Sequence, residues 1–487
     1  MSASCYLIAF TLLLLFSAVC CDGPTPSPPE RGVAGGGGGE GLNNDVDSYV
    51  IPGDVMLGVI LSLREQEESG ACGQRLRETG VVQLVEAVVF ALQQINSVSG
   101  SGLPVLESRT VPAESPGVQE SLAHPGLTQV SDSKTVSEST PVPGVSLGAV
   151  ILDDCASPVI ALGRALQFLP VRNPEPEACR SQTGSVDKSA AGARAPRDGR
   201  LIFHDVAGVI GPESSSASEL VANVLGMFAI PQISPTASSD LLSNKNKYPY
   251  FVRMAPPDRY QVAAMLSLIR HFRWSYVAII YSRGSYGESA TERMKQLASG
   301  LSVCIAAMLA VSQNPRPEAI ADVIERLRRT KVKVVVLFTD QEETRAVFAE
   351  VKAAHLVGRF VWIGSDAVGL NLDDLGDLED AAEGALTLSA FSKDVPEFRR
   401  YFKALIPTDT QNPWLRKARP ERSGNGSDEE PEVTRGRSFE LEPTVPIIMD
   451  AIYVFASAIR ELMLDRCPNA TGKLARDCIT GKQLALL

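Results

Sequence analysis

Three consecutive serines, Ser214 to Ser216, stand where the chain passes from a short apolar run into a helical pattern. The apolar run Val206–Ile210 ends in Gly211-Pro212, and leucines and valines recur at helical spacing after the serines. The first backbone N–H groups of a helix are unpaired and lie at the positive end of its dipole, so this helix start favours a bound anion. The serine hydroxyls add donors for a carboxylate. The alternative is that one serine only caps the helix.

A second polar cluster, residues 234–238 (Ser-Pro-Thr-Ala-Ser), follows the apolar run Ile230–Ile233. Parallel sheets bind ligands in the crevice outside the carboxyl ends of their strands. Two consecutive strand ends that both carry hydroxyls therefore favour a carboxylate-binding site over a simple helix cap.

Other kinds of chemistry find little support. The four histidines are scattered and no Cys-x-x-Cys spacing occurs, which argues against a metal site. No pairing of a serine with a histidine in a suggestive context supports a hydrolase. The net charge of −11 and the lack of a basic cluster interleaved with aromatics argue against nucleic-acid binding. We therefore predict a protein that is not an enzyme and that uses no cofactor, metal or nucleic acid.

Strand-like apolar runs alternate with helical patterns along most of the 487 residues. Order is expected to begin at Asp54, and Cys72 is expected in a loop. Strands are predicted at 55–63, 147–152, 206–210, 230–233, 276–281, 303–309, 332–338, 360–363 and 384–388. Helices are predicted at 81–95, after Ser214, and at 159–168, 259–272, 284–301, 319–328, 343–354, 396–405 and 444–464. This alternation predicts two α/β lobes, each a doubly wound parallel sheet with helices on both faces.

Several segments fall outside this alternation. Residues 1–22 combine an apolar core with small residues and are predicted to be a secretory signal peptide, with a membrane anchor as the rival interpretation. The Pro- and Gly-rich residues 23–48 are predicted to be a disordered leader, and 100–141 and 418–438 to be inserted loops. A secreted chain can form disulfides and carry glycans, for which Asn425 and Asn469 are the candidate acceptors.

Longer motifs occur in one order along the chain, among them GDVMLG, ILDDC, VAGVIGPESSS, YPYFVRMAPPD and FVWIGSD. Together they resemble the ligand-binding ectodomain of metabotropic glutamate receptors, the class C family of G-protein-coupled receptors. The resemblance covers most of 54–487 and implies a bilobed Venus-flytrap fold related to periplasmic amino-acid-binding proteins. Ligand would lie in the cleft between lobe 1 (49–253, completed by 394–487) and lobe 2 (254–393).

In that family, lobe closure passes through a cysteine-rich segment to a seven-helix membrane domain, and through it to a heterotrimeric G protein. The sequence stops at Leu487, before either segment. We therefore interpret it as a truncated or fragmentary form of such a receptor.

The resemblance also implies a site for the two α-groups of an L-amino acid. By motif position the α-carboxylate would be held by Ser215 and Ser238, and the α-ammonium by the carbonyl of Thr236 with Asp258, Tyr286 and Asp366. Nearby anions and an aromatic face both favour an ammonium group. Taken singly, Asp258 could equally be a helix N-cap, and Asp366 a polar strand end.

The basic residues that grip the distal carboxylate of glutamate in that family are not matched. Residues 79–84 (TGVVQL) contain no Arg or Lys, the terminal lysine position falls on Gln483 with Lys482 one residue away, and residues 367–371 (AVGLN) lack the third basic group. A buried carboxylate without a charged partner is costly. We therefore predict that the ligand is a neutral or basic amino acid and not glutamate.

The cysteines take roles from the same resemblance. It implies the disulfides Cys72–Cys155 and Cys467–Cys478, whereas Cys179 would link two protomers of a homodimer. Cys304 would lack the partner that the family's cysteine-rich segment supplies.

Two functions follow from these observations. The first is the extracellular domain of a dimeric amino-acid receptor at the plasma membrane, which signals by lobe closure. The alternative is a secreted decoy module that dimerises with a full-length receptor and does not signal itself.

Overall fold

The computed structural model describes residues 48–67, 69–77, 80–97, 145–170, 204–369, 375–389, 392–405, 411–417, 441–467 and 478–479, all within one compact unit, Val46–Leu487. The predicted signal peptide, nearly all of the predicted leader and both predicted inserts lie outside the described residues. So do Cys179, Asn425, Asn469, Lys482 and Gln483.

Two sheets organise the described chain. The first has six strands in the order β1-β5-β2-β6-β7-β8. Its strands are β1 Ser48–Ile51, β2 Val55–Leu61, β5 Leu147–Asp153, β6 Gly208–Ile210, β7 Gln232–Ser234 and β8 Phe251–Arg253. All neighbours are parallel except β1, which pairs with β5 in the antiparallel sense.

The second sheet has five strands, all parallel, in the order β10-β9-β11-β12-β13. Its strands are β9 Tyr276–Ser282, β10 Cys304–Val311, β11 Val334–Phe338, β12 Val361–Gly364 and β13 Leu386–Thr387. A separate antiparallel hairpin is formed by β3 Arg64–Gln66 and β4 Cys72–Leu76.

The helices of the described chain fall between these strands and after them. In chain order they are α1 Val82–Ser97, α2 Pro158–Leu166, α3 Ser215–Met227, α4 Asp258–His271, α5 Ser285–Ser299, α6 Pro317–Thr330, α7 Gln341–Ala353, α8 Asp366–Gly369, α9 Glu379–Ala382, α10 Pro396–Ala404, α11 Pro413–Lys417 and α12 Val445–Arg466. None of these described helices has the length and apolar composition needed to cross a bilayer.

Both faces of each sheet are buried, which explains the nearly continuous apolar runs of the central strands. Alternate residues of β9 illustrate this: Val277 and Ile279 pack with α4 and α5, whereas Ala278 and Ile280 pack with α6 and α7. The first sheet is covered by α2 and α3 on one face and by α1, α10 and α12 on the other. The predicted bilobed α/β architecture is confirmed, although the domain boundaries given above stay predictions.

The chain leaves the first lobe after β8, builds the second sheet, and then returns. Helices α10 and α12 follow the second sheet in the sequence, yet their apolar residues Phe398, Phe402 and Ile452 lie in the core of the first lobe. The lobes are therefore joined by more than one chain crossing, an arrangement that allows them to hinge around the space between them.

Two local predictions were wrong. The first strand begins at Ser48, before Asp54, and it takes the end of the predicted leader into the sheet as an antiparallel edge strand. Cys72 opens β4 instead of lying in a loop. Both strands are short, four and five residues, so neither carries a long enough apolar run to reveal a buried strand.

Two disulfides are present in the structure, Cys72–Cys155 and Cys467–Cys478, with Cα–Cα separations of 5.5 and 6.4 Å. The first ties the hairpin to the carboxyl end of β5. Cys304, at the start of the edge strand β10, is exposed and makes no disulfide.

Candidate functional site

A cavity of about 540 Å³ lies between the two lobes. Its lining comes largely from segments that follow the carboxyl ends of strands: Ser62 after β2, Ala156 after β5, Ser215 after β6, Ser238 after β7, Tyr286 after β9, Asp340 after β11 and Asp366 after β12. These are the strand ends at which parallel sheets bind ligands. The topology of both lobes therefore directs polar residues to one cavity.

The three serines of the helix start have different tasks. The Ser214 hydroxyl caps α3, because its Oγ accepts a hydrogen bond from Ala217 N at 3.2 Å. Ser215 Oγ accepts from the backbone N–H groups of Ser238 and Ser239, at 3.2 and 3.1 Å. Because its oxygen is occupied as an acceptor, the Ser215 hydroxyl proton is left to donate to a ligand. The simple capping role belongs to Ser214.

The third serine connects the lobes. Ser216 Oγ accepts from Ser285 N at 3.2 Å, across the cleft at the start of α5. Ser239 Oγ donates to the Ser285 carbonyl at 2.8 Å. Gly284 makes this approach possible: a Cβ atom there would lie 2.5 Å from Ser216 Oγ, and its φ of +118° favours glycine.

The second lobe supplies a phenol and a carboxylate. Tyr286 Oη donates to Asp366 Oδ1 at 2.9 Å, and the buried Tyr286 ring packs edge-on against Phe338. Burial, together with the negative charges of Asp366 and Asp258, raises the pKa of the Tyr286 phenol well above its ordinary value. The phenol therefore keeps its proton and orients the carboxylate, whose other oxygen can accept from an ammonium group.

Asp258 does not line the cavity. It is fully buried, it is the first residue of α4 and not its N-cap, and its backbone N–H donates to the Ser238 carbonyl at 2.9 Å. Burial raises its pKa to about 8, with a further increase from Asp366 and a decrease from the Ser238 hydroxyl. Within the described residues, Asp258 Oδ2 has no hydrogen-bond partner. Its role in binding stays a prediction, and it would act from behind Ser238.

A residue that the sequence did not reveal joins the two aspartates. Gln261 Nε2 donates to Asp258 Oδ1 at 3.1 Å, and Gln261 Oε1 accepts from Asp366 N at 3.0 Å. Its position three residues after Asp258 places the two side chains on the same face of the helix and could have indicated the contact. Gln261 thus links the Asp258 carboxylate to the backbone N–H of Asp366, across two elements of the second lobe.

Five of the six predicted ligand-binding residues come together around the cavity: Ser215, Thr236, Ser238, Tyr286 and Asp366. The Thr236 hydroxyl donates to the Glu213 carbonyl at 2.9 Å, which fixes the loop that carries the Thr236 backbone carbonyl. The first lobe therefore offers hydroxyls, and the second lobe offers a carboxylate beside a phenol, on opposite sides of one space.

The cavity wall is strongly acidic. The carboxylates that line it are Glu213, Asp340, Glu342, Glu343, Asp366, Glu442 and Asp450, whereas Arg77 is the one Arg or Lys among the described lining residues. Burial raises the pKa of Asp340 to about 6 and that of Glu343 to about 8, although the Arg77 charge lowers both. The sequence had indicated no basic residue at 79–84; Arg77 lies just before that stretch and reaches the cavity.

The described residues contain no group of three or more His, Cys, Asp or Glu side chains placed to hold a metal ion. The seven carboxylates of the cavity lining are therefore spread along the cavity.

Comparison with known proteins gives a consistent family. Residues 135–485 match the family model described as the receptor family ligand binding region. The chain is 30% identical over 457 residues to the metabotropic glutamate receptor of Drosophila melanogaster, and the match spans 87% of this chain and 42% of the relative. It is 31% identical over 447 residues to metabotropic glutamate receptor 6 of Oryctolagus cuniculus, spanning 87% and 46%. Metabotropic glutamate receptor 8 of Homo sapiens is 29% identical over 458 residues, spanning 90% and 44%. The chain thus spans less than half the length of these relatives.

Proposed function

Because this chain belongs to the family described as the receptor family ligand binding region, we propose that it is an extracellular, non-enzymatic domain that binds a free L-amino acid between its lobes. The similarity to metabotropic glutamate receptors supports the same proposal. The observation that carries the proposal is the arrangement of opposite partners around one cavity. Ser215 and Ser238 stand on the first lobe, and Tyr286 and Asp366 on the second.

The α-carboxylate would bind on the first lobe. The start of α3 provides the positive end of a helix dipole, and the Ser215 hydroxyl has a proton free to donate. The Ser238 hydroxyl lies in the same wall of the cavity. These groups suit an anion that is recognised without a formal positive charge.

The α-ammonium would bind on the second lobe. Asp366 is held by the Tyr286 hydroxyl and, through its backbone N–H, by Gln261, so that its carboxylate needs no reorganisation on binding. The Thr236 carbonyl would add an acceptor from the first lobe. Asp258 would contribute from behind Ser238, by holding Ser238 through its backbone N–H and Gln261 through its carboxyl group, and not through direct contact.

A ligand that contacts both lobes stabilises the arrangement in which they lie close together. Ser216 and Ser239 of the first lobe already contact Ser285 of the second. An amino acid between them adds contacts that exist only when the lobes meet, which shifts the population towards closure. In a longer receptor this closure would be the transmitted signal.

We test the proposal by isothermal titration calorimetry of the secreted chain against the common amino acids. We expect at least one to bind, and Ser215→Ala and Asp366→Asn each to weaken its binding about tenfold or more. Ser214→Ala should cost about 1 kcal/mol of stability as a lost cap while affecting the affinity far less. Absence of binding by every amino acid, or unchanged affinity in both Ser215→Ala and Asp366→Asn, would contradict the proposal.

The proposed homodimer is supported by an exposed apolar surface on the first lobe. We call it the α2–α3 surface; its residues are Val159, Leu166, Leu220, Met227 and Phe228. Helices α2 and α3 pack side by side, so these side chains lie on neighbouring elements. Met227 is 75% exposed, which is unusual for a large apolar side chain unless a partner covers it. A second copy of the chain is the proposed partner.

A further inference from the structure

Acidic side chains predominate among the charged residues that line the cavity. Seven carboxylates line the cavity, and Arg77 is the single Arg or Lys among the described lining residues. Binding of the α-ammonium would engage Asp366. Six carboxylates remain, and three of them are close together in the sequence of the second lobe: Asp340, Glu342 and Glu343, which we call the acidic wall of the second lobe.

The acidic wall has no internal partner. Asp340 occupies the N-cap position of α7 without a side-chain capping bond, and Glu342 and Glu343 stand in the first turn of that helix. Within the described chain, none of the three side chains forms an ion pair or a hydrogen bond with another residue. Glu343 is 1% exposed, yet it is one of the residues that line the cavity. A buried carboxylate that faces a cavity without a partner indicates that something else supplies one.

The helix dipole does not account for these acids. Carboxylates in the first turn of a helix gain roughly 0.3–1 kcal/mol from the dipole when they are exposed. Burial of Glu343 outweighs this, because its pKa is raised to about 8 by desolvation and by the charge of Asp340. A purely structural role would leave the side chain in water, as a helix-stabilising glutamate normally is.

Arg77 does not neutralise the wall. Its Nη2 donates to Gln341 Oε1 at 3.4 Å, across the cleft, and its charge lowers the pKa of Asp340 and of Glu343. One guanidinium stands beside three acids, and a further cationic group would favour the ionised forms of Asp340 and Glu343, whose pKa values are raised. A ligand with a distal carboxylate would add a further negative charge next to Asp340 and Glu343, which like-charge repulsion opposes.

The wall also lies in the right direction from the α-group site. Asp366 and Asp340 follow β12 and β11, which are adjacent parallel strands in the same sheet and therefore about 4.8 Å apart. Glu343 stands three residues after Asp340, so the two lie on the same side of the first helical turn. A side chain of several methylene groups that starts beside Asp366 would run along the wall towards them.

We propose that the ligand's side chain carries a positive charge, an ammonium or guanidinium group on a flexible stem, and that Asp340 and Glu343 bind this group with Glu342 at its side. The proposal rests on the proposed function, since it assumes that the α-groups bind to Ser215 and Asp366. Charge-assisted hydrogen bonds from such a group would satisfy the carboxylates that the protein leaves without partners. L-lysine, L-ornithine and L-arginine belong to this class.

Calorimetry with four amino acids on the secreted chain separates the possibilities. L-alanine reports the α-group site alone, and L-norleucine has the carbon chain of lysine without its charge. We expect L-lysine to bind about tenfold or more tightly than L-norleucine, and L-glutamate to bind more weakly than L-norleucine. The ratio of lysine to norleucine affinity should fall towards one in Glu343→Gln and in Asp340→Asn. Glu379→Gln, which removes an exposed carboxylate of α9 on the same lobe, should keep the parent ratio.

The outcomes are distinguishable. If alanine and norleucine bind but lysine binds no more tightly than norleucine in the parent chain, the inference of a positively charged ligand side chain is wrong. The proposed site for the α-groups then stands. A parent preference for lysine that survives both Glu343→Gln and Asp340→Asn would place the charge recognition elsewhere and overturn the assignment. Failure of all four amino acids and of arginine to bind would overturn this inference, whereas the proposed function fails only if every common amino acid fails to bind. The comparison of lysine with norleucine in the parent chain tests the charged ligand side chain by itself, even if a variant fails to fold.

Discussion

At the scale of residues, two aspartates of the second lobe differ in their surroundings. Asp366 is partly exposed and is held by a phenol, so its carboxylate faces the cavity as an acceptor. Asp258 is fully buried, and its pKa is raised to about 8 chiefly by desolvation. Asp258 lies behind Ser238 and does not line the cavity, whereas Asp366 does, so Asp366 is the more suitable partner for an ammonium group. The same residue type thus serves two roles because the protein solvates the two side chains differently.

The buried acids predict a stability that falls as the pH rises. Asp258 ionises near pH 4 in the unfolded chain but near 8 in the folded one, so its contribution is complete below pH 4 and is lost as the pH rises towards 8. Glu343, Asp340 and Asp154, with pKa values raised to about 8, 6 and 7, act in the same direction. We expect the melting temperature of the ligand-free chain to be lower at pH 8 than at pH 5.

Asp258→Asn should reduce that dependence, because asparagine does not ionise and can still accept from Gln261. We expect the variant to melt roughly 2 °C or more above the parent at pH 8 and close to it at pH 5, as measured by circular dichroism. Asp322→Asn, at an exposed position of α6, is the matched control and should follow the parent at both values. Equal pH dependence in the parent and in Asp258→Asn would show that Asp258 does not ionise on unfolding as described.

At the scale of elements, two helix starts meet across the cleft. Helix α3 of the first lobe and helix α5 of the second begin at Ser215 and Ser285, and polar bonds from Ser216 and Ser239 join them. The N-terminal end of α5 is short of acceptors, and the first lobe supplies one, Ser216 Oγ, to the backbone N–H of Ser285. This contact sets how closely the lobes approach beside the ligand cavity.

Gly284 is the residue on which that contact depends. Gly284→Ala would force a side chain into a backbone conformation that only glycine adopts readily, and would push against Ser216. We expect a loss of about 1–3 kcal/mol in the free energy of unfolding. We also expect weaker amino-acid binding, because the two helix starts are held apart. Urea denaturation and calorimetry measure the two effects.

Gly300→Ala provides the comparison on the same helix. Gly300 ends α5 with a φ of −77°, and the nearest atom to an added Cβ lies 3.7 Å away. It should therefore change neither stability nor binding by much. If Gly284→Ala behaves like Gly300→Ala, the close approach of the lobes at Ser216 is not needed for the fold or for the ligand.

At the scale of the whole molecule, the first lobe carries the proposed dimer surface and the second carries the acidic wall. The proposed assembly and the proposed ligand selection would therefore occupy different parts of the chain and could be changed separately. Because the chain spans less than half the length of the relatives it matches, signalling beyond the ligand-binding region stays a proposal.

Met227→Glu should weaken the proposed dimer. Met227 projects from the α2–α3 surface, so a charge there would be buried without a partner in the assembled pair. We expect the dissociation constant from sedimentation equilibrium to rise about tenfold or more, measured in a Cys179→Ser background so that no disulfide at Cys179 holds the protomers together. Met308→Glu, on the exposed face of β10 in the second lobe, should dimerise like the parent. A monomeric parent, or equal behaviour of the two variants, would contradict the assignment of this surface.

The amino-acid sequence by itself determined the two lobes and the position of half the site. Apolar runs such as Val334–Phe338 are buried on both faces, and this local property is written directly in the residue types. The serines at Ser214–Ser216 and the cluster at 234–238 follow strand ends, and parallel topology brings strand ends together. Order along the chain was therefore enough to predict that these groups meet.

Only the tertiary structure decided which charges face one another. Arg77 and Asp340 lie more than 260 positions apart in the sequence, and no local pattern relates them. Asp258 was expected beside the ligand, but packing against Ser238 buries it behind the cavity. Gln261 bridges two aspartates through the approach of α4 to the end of β12. Periodicity encodes burial within one element, whereas the distance and desolvation that set a charge's role arise when distant elements pack.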